Sequence, residues 1–319
     1  MGAMMSAPVP TTLLLGARNA GFFSNLNAVL NHLRYSLGRN GIEAIFVDWR
    51  ANPVECSHFS YGRPEDGNLW LRFFDPLAFE HHPPASSATH LFANTAMTGR
   101  RAYAMYKFDW RWRRIYNRLF RRYIAIRPAL LARAEAIHAR HMAGHYRIGV
   151  HCRHPDHDSE CLHRSPSLAR YVAMTRSLLP AGRSAIVFLA SDYEPAVAAF
   201  RAAFGERLVM QHGIKRASGS EAEQMHHIDP DPAIASGEQV LLDALLLARC
   251  DAVIHVTSNL ATAGGYMNPD IRMVYCETRL QALMGYLWSL YQYTPLATLR
   301  GRVVRASAAR RQKVVPRAN

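Results

Sequence analysis

The order of apolar and polar runs predicts an α/β fold of two Rossmann-like domains facing across a cleft, followed by a short tail. Three observations carry that reading. At 319 residues the chain is too long for one ordinary core and suits two domains. Its opening reads strand, glycine-bearing loop, helix, strand, which is a βαβ unit. From Ile148 on, IGVHC reads as a short buried strand, AIVFLA is a nearly continuous apolar run, as expected of a parallel strand covered on both faces, and DAVIHV is a second strongly apolar strand. The expected boundaries are 1–144, 145–299, and a basic, flexible tail over 300–319.

Thr11 to Leu15 is a β-branched and apolar run that stops at Gly16. Arg18, Asn19, Gly21 and Asn25 come next, and Leu26, Val29, Leu30, Leu33 and Leu37 then recur at helical spacing up to Gly38. The loop lacks the three-glycine spacing of a dinucleotide fingerprint, so its glycines either face a ligand or only make the turn. Ile42 to Val47 is the returning strand. Proline and glycine break up residues 51–98, where Trp70, Leu71, Phe73 and Phe74 form one apolar segment, a short strand or helix over the core.

Arg100 to Met142 reads as helix throughout, interrupted or bent near Pro128. Within it Arg111, Arg113, Arg114, Arg118, Arg121 and Arg122 interleave with Trp110, Trp112, Tyr116, Phe120 and Tyr123. That mixture suits nucleic-acid stacking, an anionic membrane, or an amphipathic helix with a basic solvated face. Ile115, Leu119, Tyr123 and Ile126 keep helical spacing, so core packing best explains the apolar stripe.

Beyond the central strand, Pro166 to Leu179 is helical. Ala185 to Ala190 is a buried strand ending at Ser191 and Asp192, and Pro195 to Phe204 is the returning helix. Leu208 to Met210 opens a polar loop, Gln211 to Ser236, in which Asp229-Pro-Asp231 reads as a rigid turn and not a metal pair. Gly237 to Ala248 is a helix with Asp243 the single charge in its apolar centre, so that charge must meet a partner or a ligand. Asp251 to Val256 then empties into Thr257, Ser258 and Asn259. Three small polar side chains before a helix containing Gly264 and Gly265 suit a phosphate held by hydroxyls and helix-terminal N–H groups; plain N-capping by Ser258 or Asn259 is the alternative. Met273 to Cys276 is a last strand and Leu280 to Tyr293 a terminal amphipathic helix.

Lysine and arginine number 38 against 24 acids, a net charge of +14, which predicts attraction to polyanions without choosing among phosphates, nucleic acid and membrane. Five cysteines with no CxxC pair read as reduced thiols of a cytoplasmic protein. Cys152 and Cys161 lie near His151, His154, His157 and His163, but Cys152 falls inside a strand and paired zinc spacing is missing, so no metal is expected. No stretch approaches the length of a membrane span, which leaves at most peripheral contact with an anionic membrane.

The stretch most charged with chemistry is YRIGVHCRHPDHDSE, Tyr146 to Glu160. A strand ends there and pushes Arg153, His154 and His157 into a loop with Asp156, Asp158 and Glu160, placing cationic donors for an anion beside groups able to take a proton. In open α/β sheets ligands bind outside the carboxyl ends of the strands, where such a loop lies.

Three segments in fixed order, GVHCRHPD, VFLASDYEPAV and DALLLARCDAVIHVTSNLATAGGYM, together resemble the fucosyltransferase superfamily of the rhizobial nodulation, α1,6- and protein O-fucosyltransferases. They are similar to its H-x-R motif, its strand ending in (S/T)-D and its helix–strand–SN segment, and GARNAGFFSNLNAVLNHLRYS resembles its opening loop and helix. The resemblance implies a GT-B-like fold with an acceptor-side N-terminal domain and a donor-binding C-terminal domain. It implies inverting transfer of a 6-deoxyhexose, most often fucose from GDP-fucose, to a glycan or lipid-linked hydroxyl with no cofactor and no metal. Carried over by position, Arg153 holds the β-phosphate, with Glu160, or else Asp158, as general base. His151 and His154 sit on the donor, Asp192 and Asp243 on the guanine or ribose, Thr257, Ser258 and Asn259 on the phosphates, and Arg18, Asn19, Gly21 and Asn25 along the acceptor cleft. With no stem or anchor ahead of the first strand, a bacterial cytoplasmic enzyme is expected. The segment departs from its relatives in running His-Pro after Arg153. A different nucleotide-sugar donor, a donor-binding sensor and a basic nucleic-acid-binding protein are the competing readings, although no specific nucleic acid is expected.

Overall fold

The computed structural model describes residues 11–17, 21–38, 42–49, 66–79, 91–92, 110–153, 165–214, 216–218, 233–256, 258–278, 280 and 283. The terminal helix expected at 280–293 and the tail at 300–319 lie almost wholly outside them.

Two parallel sheets organise the chain. The first contains β1 (Thr11–Gly16), β2 (Ile42–Asp48) and β3 (Leu91–Phe92) in the order β2-β1-β3. Helix α1 (Phe22–Tyr35) makes the crossover from β1 to β2, as the leucine spacing predicts. The second has β4 (Tyr146–Cys152), β5 (Ala185–Ser191), β6 (Leu208–Val209), β7 (Ala252–His255) and β8 (Arg272–Tyr275) in the order β6-β5-β4-β7-β8. Every pairing is parallel, so all five carboxyl ends lie along one edge. From β4 the chain builds outward through β5 and β6, then returns to the opposite flank for β7 and β8. The strand order therefore reverses beside β4, and the crevice there is the expected place for a ligand.

Alternation along the strands of the second sheet decides what each face meets. Ile148, Val150, Cys152, Val187, Leu189 and Ile254 pack with Tyr171 of α5 (Leu168–Ser177) and Val197 and Phe200 of α6 (Glu194–Phe204). Ile186, Phe188, Ala190 and Val253 face the other way, onto Leu246 and Leu247 of α7 (Ala233–Leu247). A Cβ on Gly149 would stand 2.7 Å from Leu247 Cδ2 and 3.0 Å from Cys250 Sγ, so glycine is what lets α7 approach β4.

The helix expected over 100–142, interrupted or bent near Pro128, is two helices where it is described, α3 (Trp110–Tyr123) and α4 (Pro128–His141). Between them Ile126 is extended and bridges Phe74, and the Arg127 N–H donates to Phe73 O at 3.0 Å. Tertiary pairing with the segment after the short helix α2 (Trp70–Phe73) thus overrides helical propensity just before Pro128. The aromatic stripe of α3 points inward: Tyr116 and Phe120 are buried, and Trp112, Ile115, Leu119 and Tyr123 pack against the first core.

That first core is shared between the halves. Leu26, Leu30, Tyr116 and Phe120 meet Leu241 and Leu245 of α7 and Ala263 and Tyr266 of α8 (Asn259–Met267) in one cluster. The glycine pair of α8 serves this packing. A Cβ on Gly265 would lie 3.1 Å from Arg113 Cδ of α3, and one on Gly264 would lie 3.6 Å from Leu247 Cβ of α7. Each glycine faces a different helix.

Candidate functional site at the carboxyl ends of the second sheet

Strand β4 ends by burying His151 and Cys152 and releasing Arg153 at the edge of the sheet. His151 is in register with His255 of β7, which is in register with Tyr275 of β8, so the three side chains form one row on the face covered by α7 and α8. The row lies at the strand-order reversal.

Ser258 ties the row to α8. Its Oγ accepts from the Ala261 N–H at 3.0 Å, capping the helix, and lies 3.0 Å from His151 Nδ1. With the hydroxyl donating to Nδ1, the ring proton of His151 sits on Nε2. One serine therefore orients both a helix N-terminus and an imidazole. The alternative of plain capping and the expected place at the site hold together, because the cap is part of the site. Asn259 turns toward the first half, its Oδ1 accepting from Asn27 Nδ2 at 3.2 Å, while Tyr266 donates to Asn27 Oδ1 at 3.1 Å. Asn27, which nothing in the α1 pattern singles out, thereby fixes the first turn of α8 against α1.

A second group lies at the ends of β5 and β6. Asp243 of α7 keeps a little surface, but its carboxyl is closely surrounded, and burial pushes its pKa up to about 7 against the pull of Gln211 and Arg216. Gln211 Nε2 donates to Asp243 Oδ1 at 2.6 Å and to Gln239 O at 2.9 Å. Arg216 spans the same corner, donating through Nε to Ser191 O at 3.1 Å and through a terminal nitrogen to Gln211 O at 2.9 Å. Asp192 contributes a further negative charge felt by Asp243, and its carbonyl accepts from the Ala217 N–H at 2.9 Å. The partner demanded by the lone charge in α7 is thus Gln211, at the start of the polar loop.

The end of β8 adds two residues the sequence reading passed over. Glu277 is buried near Tyr275 and Tyr171, and Arg170 donates through Nε to Cys276 O at 2.6 Å. Tyr171 feels the charge of Glu277 and, in the opposite sense, that of Arg153. His255 is buried, with Nδ1 donating to Val256 O at 2.9 Å, and its Nε2 has no hydrogen-bond partner among the described residues. Burial drives its pKa down to about 4, so it is neutral.

Of the expected site residues, His151, Arg153, Asp192, Asp243, Ser258 and Asn259 gather along one edge of the second sheet. Gly21 is the N-cap of α1, and Asn25 is buried behind it, its amide directed to Gly21 O at 3.5 Å. Arg18, Asn19, His154, Asp158, Glu160 and Thr257 lie outside the described residues.

No protein-family model matches the sequence, and a search of curated proteins finds no match. Solved structures do match. NodZ α-1,6-fucosyltransferase co-crystallised with GDP superposes with a TM-score of 0.53 at 19% identity, over 82% of this chain and 93% of that one. NodZ soaked with GDP-fucose gives 0.53 at 20% identity over 82% and 93%. Fucosyltransferase NodZ from Bradyrhizobium gives 0.52 at 20% identity over 82% and 94%. The likeness is one of fold, and it bears out the GT-B-like α/β architecture expected from the sequence.

Proposed function

We propose that the chain is an inverting glycosyltransferase that moves a fucosyl group from GDP-fucose to a hydroxyl of a glycan or lipid-linked acceptor without a metal. The observation that supports this best is the coincidence of fold and site. NodZ, with GDP or GDP-fucose, has the same architecture, and the H-x-R and serine–asparagine residues of this chain meet at its strand-order reversal.

In this reading residues 1–144 carry the acceptor side and 145–299 the donor side. The pyrophosphate lies against the N-terminus of α8, where the helix dipole and the Ser258 cap favour negative charge. Arg153 donates to the β-phosphate. His151, oriented by Ser258, donates from Nε2 to the donor, with His154 and Thr257 beside it and Asp192 and Asp243 at the nucleoside. The acceptor, lying along Arg18, Asn19, Gly21 and Asn25, attacks the anomeric carbon from the face opposite the phosphate. The C–O bond to the β-phosphate breaks, its electron pair leaves on GDP, and the acceptor proton passes to Glu160 or Asp158. Arg153 stabilises the charge that grows on the leaving diphosphate. The enzyme works in the cytoplasm, with peripheral contact with an anionic membrane when the acceptor is lipid-linked.

Calorimetric titration of GDP, UDP, dTDP and GDP-fucose into the wild type and Arg153→Ala tests this. Guanine nucleotides bind selectively, and the variant loses on the order of 10–100-fold in affinity, the scale of a charge-assisted contact. Preference for UDP or dTDP transfers the reading to another donor. Binding indifferent to Arg153 removes it from the site.

A further inference from the structure

The outer face of α3 gathers a cluster of exposed cationic side chains. The helix carries no acid, and its arginines divide by direction. Arg113 turns inward, donating to Ile271 O at 3.0 Å and packing on Gly265. Arg114 pairs with Asp270 at 2.6 Å. Arg118, Arg121 and Arg122 are exposed and form no ion pair among the described residues, whereas the exposed Arg127 at the N-cap of α4 and Arg133 within it meet Asp75 and Glu238. Arg118 stands three and four residues from the other two, so the three guanidiniums share one face and repel one another, which costs the bare helix stability. An anionic surface relieves that repulsion.

We infer that this face docks the protein on an anionic lipid surface through Arg118, Arg121 and Arg122. Charge complementarity selects the partner's sign, and the direction of the aromatics selects its kind. Tyr116 and Phe120 are buried, Trp112 packs on the core with Arg34 over its ring at 3.7 Å, and half-buried Tyr123 lies against Phe79 with Arg122 over its ring at 5.2 Å, so these four rings are already engaged and leave bases little to stack on. A convex face of three guanidiniums fits a plane of phosphate headgroups. Helix α3 also lies directly on α8, whose first turn builds the candidate site, so adsorption sets that site about one helix layer from the membrane. That last step alone rests on the proposed transfer to a lipid-linked acceptor; the docking does not.

The test is co-sedimentation of the full chain with vesicles of phosphatidylcholine, with and without roughly one-third phosphatidylglycerol, at low and physiological salt. The wild type binds only the anionic vesicles, less so as salt rises. The triple variant Arg118→Gln, Arg121→Gln, Arg122→Gln loses roughly fivefold in partition per arginine, and the matching triple lysine variant keeps its binding. If the glutamine variant partitions like the wild type, another basic segment does the docking and the inference falls. It falls equally if an equimolar single-stranded oligonucleotide strips the wild type from vesicles at physiological salt, which would make the face a nucleic-acid surface. Unchanged GDP titration of the glutamine variant shows that the site is intact, so failure of docking and failure of the transferase reading remain distinguishable.

Discussion

The five-stranded sheet is covered on both faces mainly by aliphatic side chains, with Tyr171 and Phe200 among them, whereas the core of the three-stranded sheet is rich in rings and shares α7 and α8 with the other half. In the second sheet, Ile148, Val150, Val187, Leu189 and Ile254 meet α5 and α6, and Ile186 and Val253 meet α7. The first sheet has β2 as an edge strand with Phe46 45% exposed, and its interior is built from Phe22, Trp49, Trp70, Phe73 and Phe74. Trp49 and Trp70 pack edge to face at 5.0 Å, Phe22 and Phe73 at 4.9 Å, and Trp70 and Phe74 approach to 4.4 Å. Asn68 staples these rings to the edge strand, donating to Val47 O at 2.8 Å and accepting from the Trp49 and Trp70 N–H groups. In this narrow sheet large rings join the leucines of α1 and α7, and each ring removes far more surface from water than a leucine does.

The sharpest way to break that contrast is Trp70→Ala, which removes the central ring and the bond from its Nε1 to Asp75 O. The expected loss is about 3–5 kcal/mol by urea denaturation. Because the first core contains residues of α7 and α8, unfolding stays a single transition followed alike by fluorescence and far-UV dichroism. Two separated transitions would mean that the halves are energetically independent.

Gly149→Ala probes the aliphatic half. The added methyl meets Leu247, Cys250 and Val253 at 2.7–3.1 Å, and overpacking of this kind costs about 1–3 kcal/mol. Gly264→Ala, with its nearest neighbour at 3.6 Å, costs less in the same denaturation series.

The smallest net effect in the wild type comes from two opposed slopes of stability with pH. Asp243 is raised from 3.8 to about 7, so the folded state holds its proton longer and stability falls as pH rises from about 4 to 7. His255 is lowered from 6.5 to about 4, so the unfolded state binds the extra proton and stability rises with pH from about 4 to 6.5. Each slope reaches at most about 1.4 kcal/mol per pH unit, and in the wild type they oppose one another below pH 6.5. Asp243→Asn uncovers the rise and His255→Gln the fall, as melting temperatures across pH 4–8 would show. Variants with parallel profiles would mean that neither group titrates as its surroundings dictate.

What could be read in advance follows from the same contrast. The strands of the second sheet are legible because both faces are covered, which leaves unbroken apolar runs. Arg153 and Ser258 are legible because a strand ending in small or charged residues marks the binding edge of an α/β sheet. Asp243 announced itself as a charge in an apolar helix, but its partner Gln211 stands 32 residues earlier and glutamine carries no signal of its own. Asn27, Glu277 and Arg216 were missed for the same reason, since each matters through a neighbour distant in sequence. The interruption near Pro128 was legible from the proline, whereas its form, with Ile126 extended and bridged to Phe74, depends on a segment about fifty residues earlier. Gly264 and Gly265 drew attention beside the phosphate site, yet the one tight approach is that of Arg113 of α3 to Gly265, on the side facing the first core.

The clamp on Asn27 has a consequence for the order in which the protein is made. Its partners Asn259 and Tyr266 follow it by 232 and 239 residues, and the first core includes Leu241, Leu245, Ala263 and Tyr266. At translation rates of about 5–20 residues per second, the N-terminal βαβ unit waits roughly 10–50 s for the side chains that complete it. Through that interval the nascent chain carries an unfinished aromatic surface, and two helices that emerge late complete the core of the first sheet.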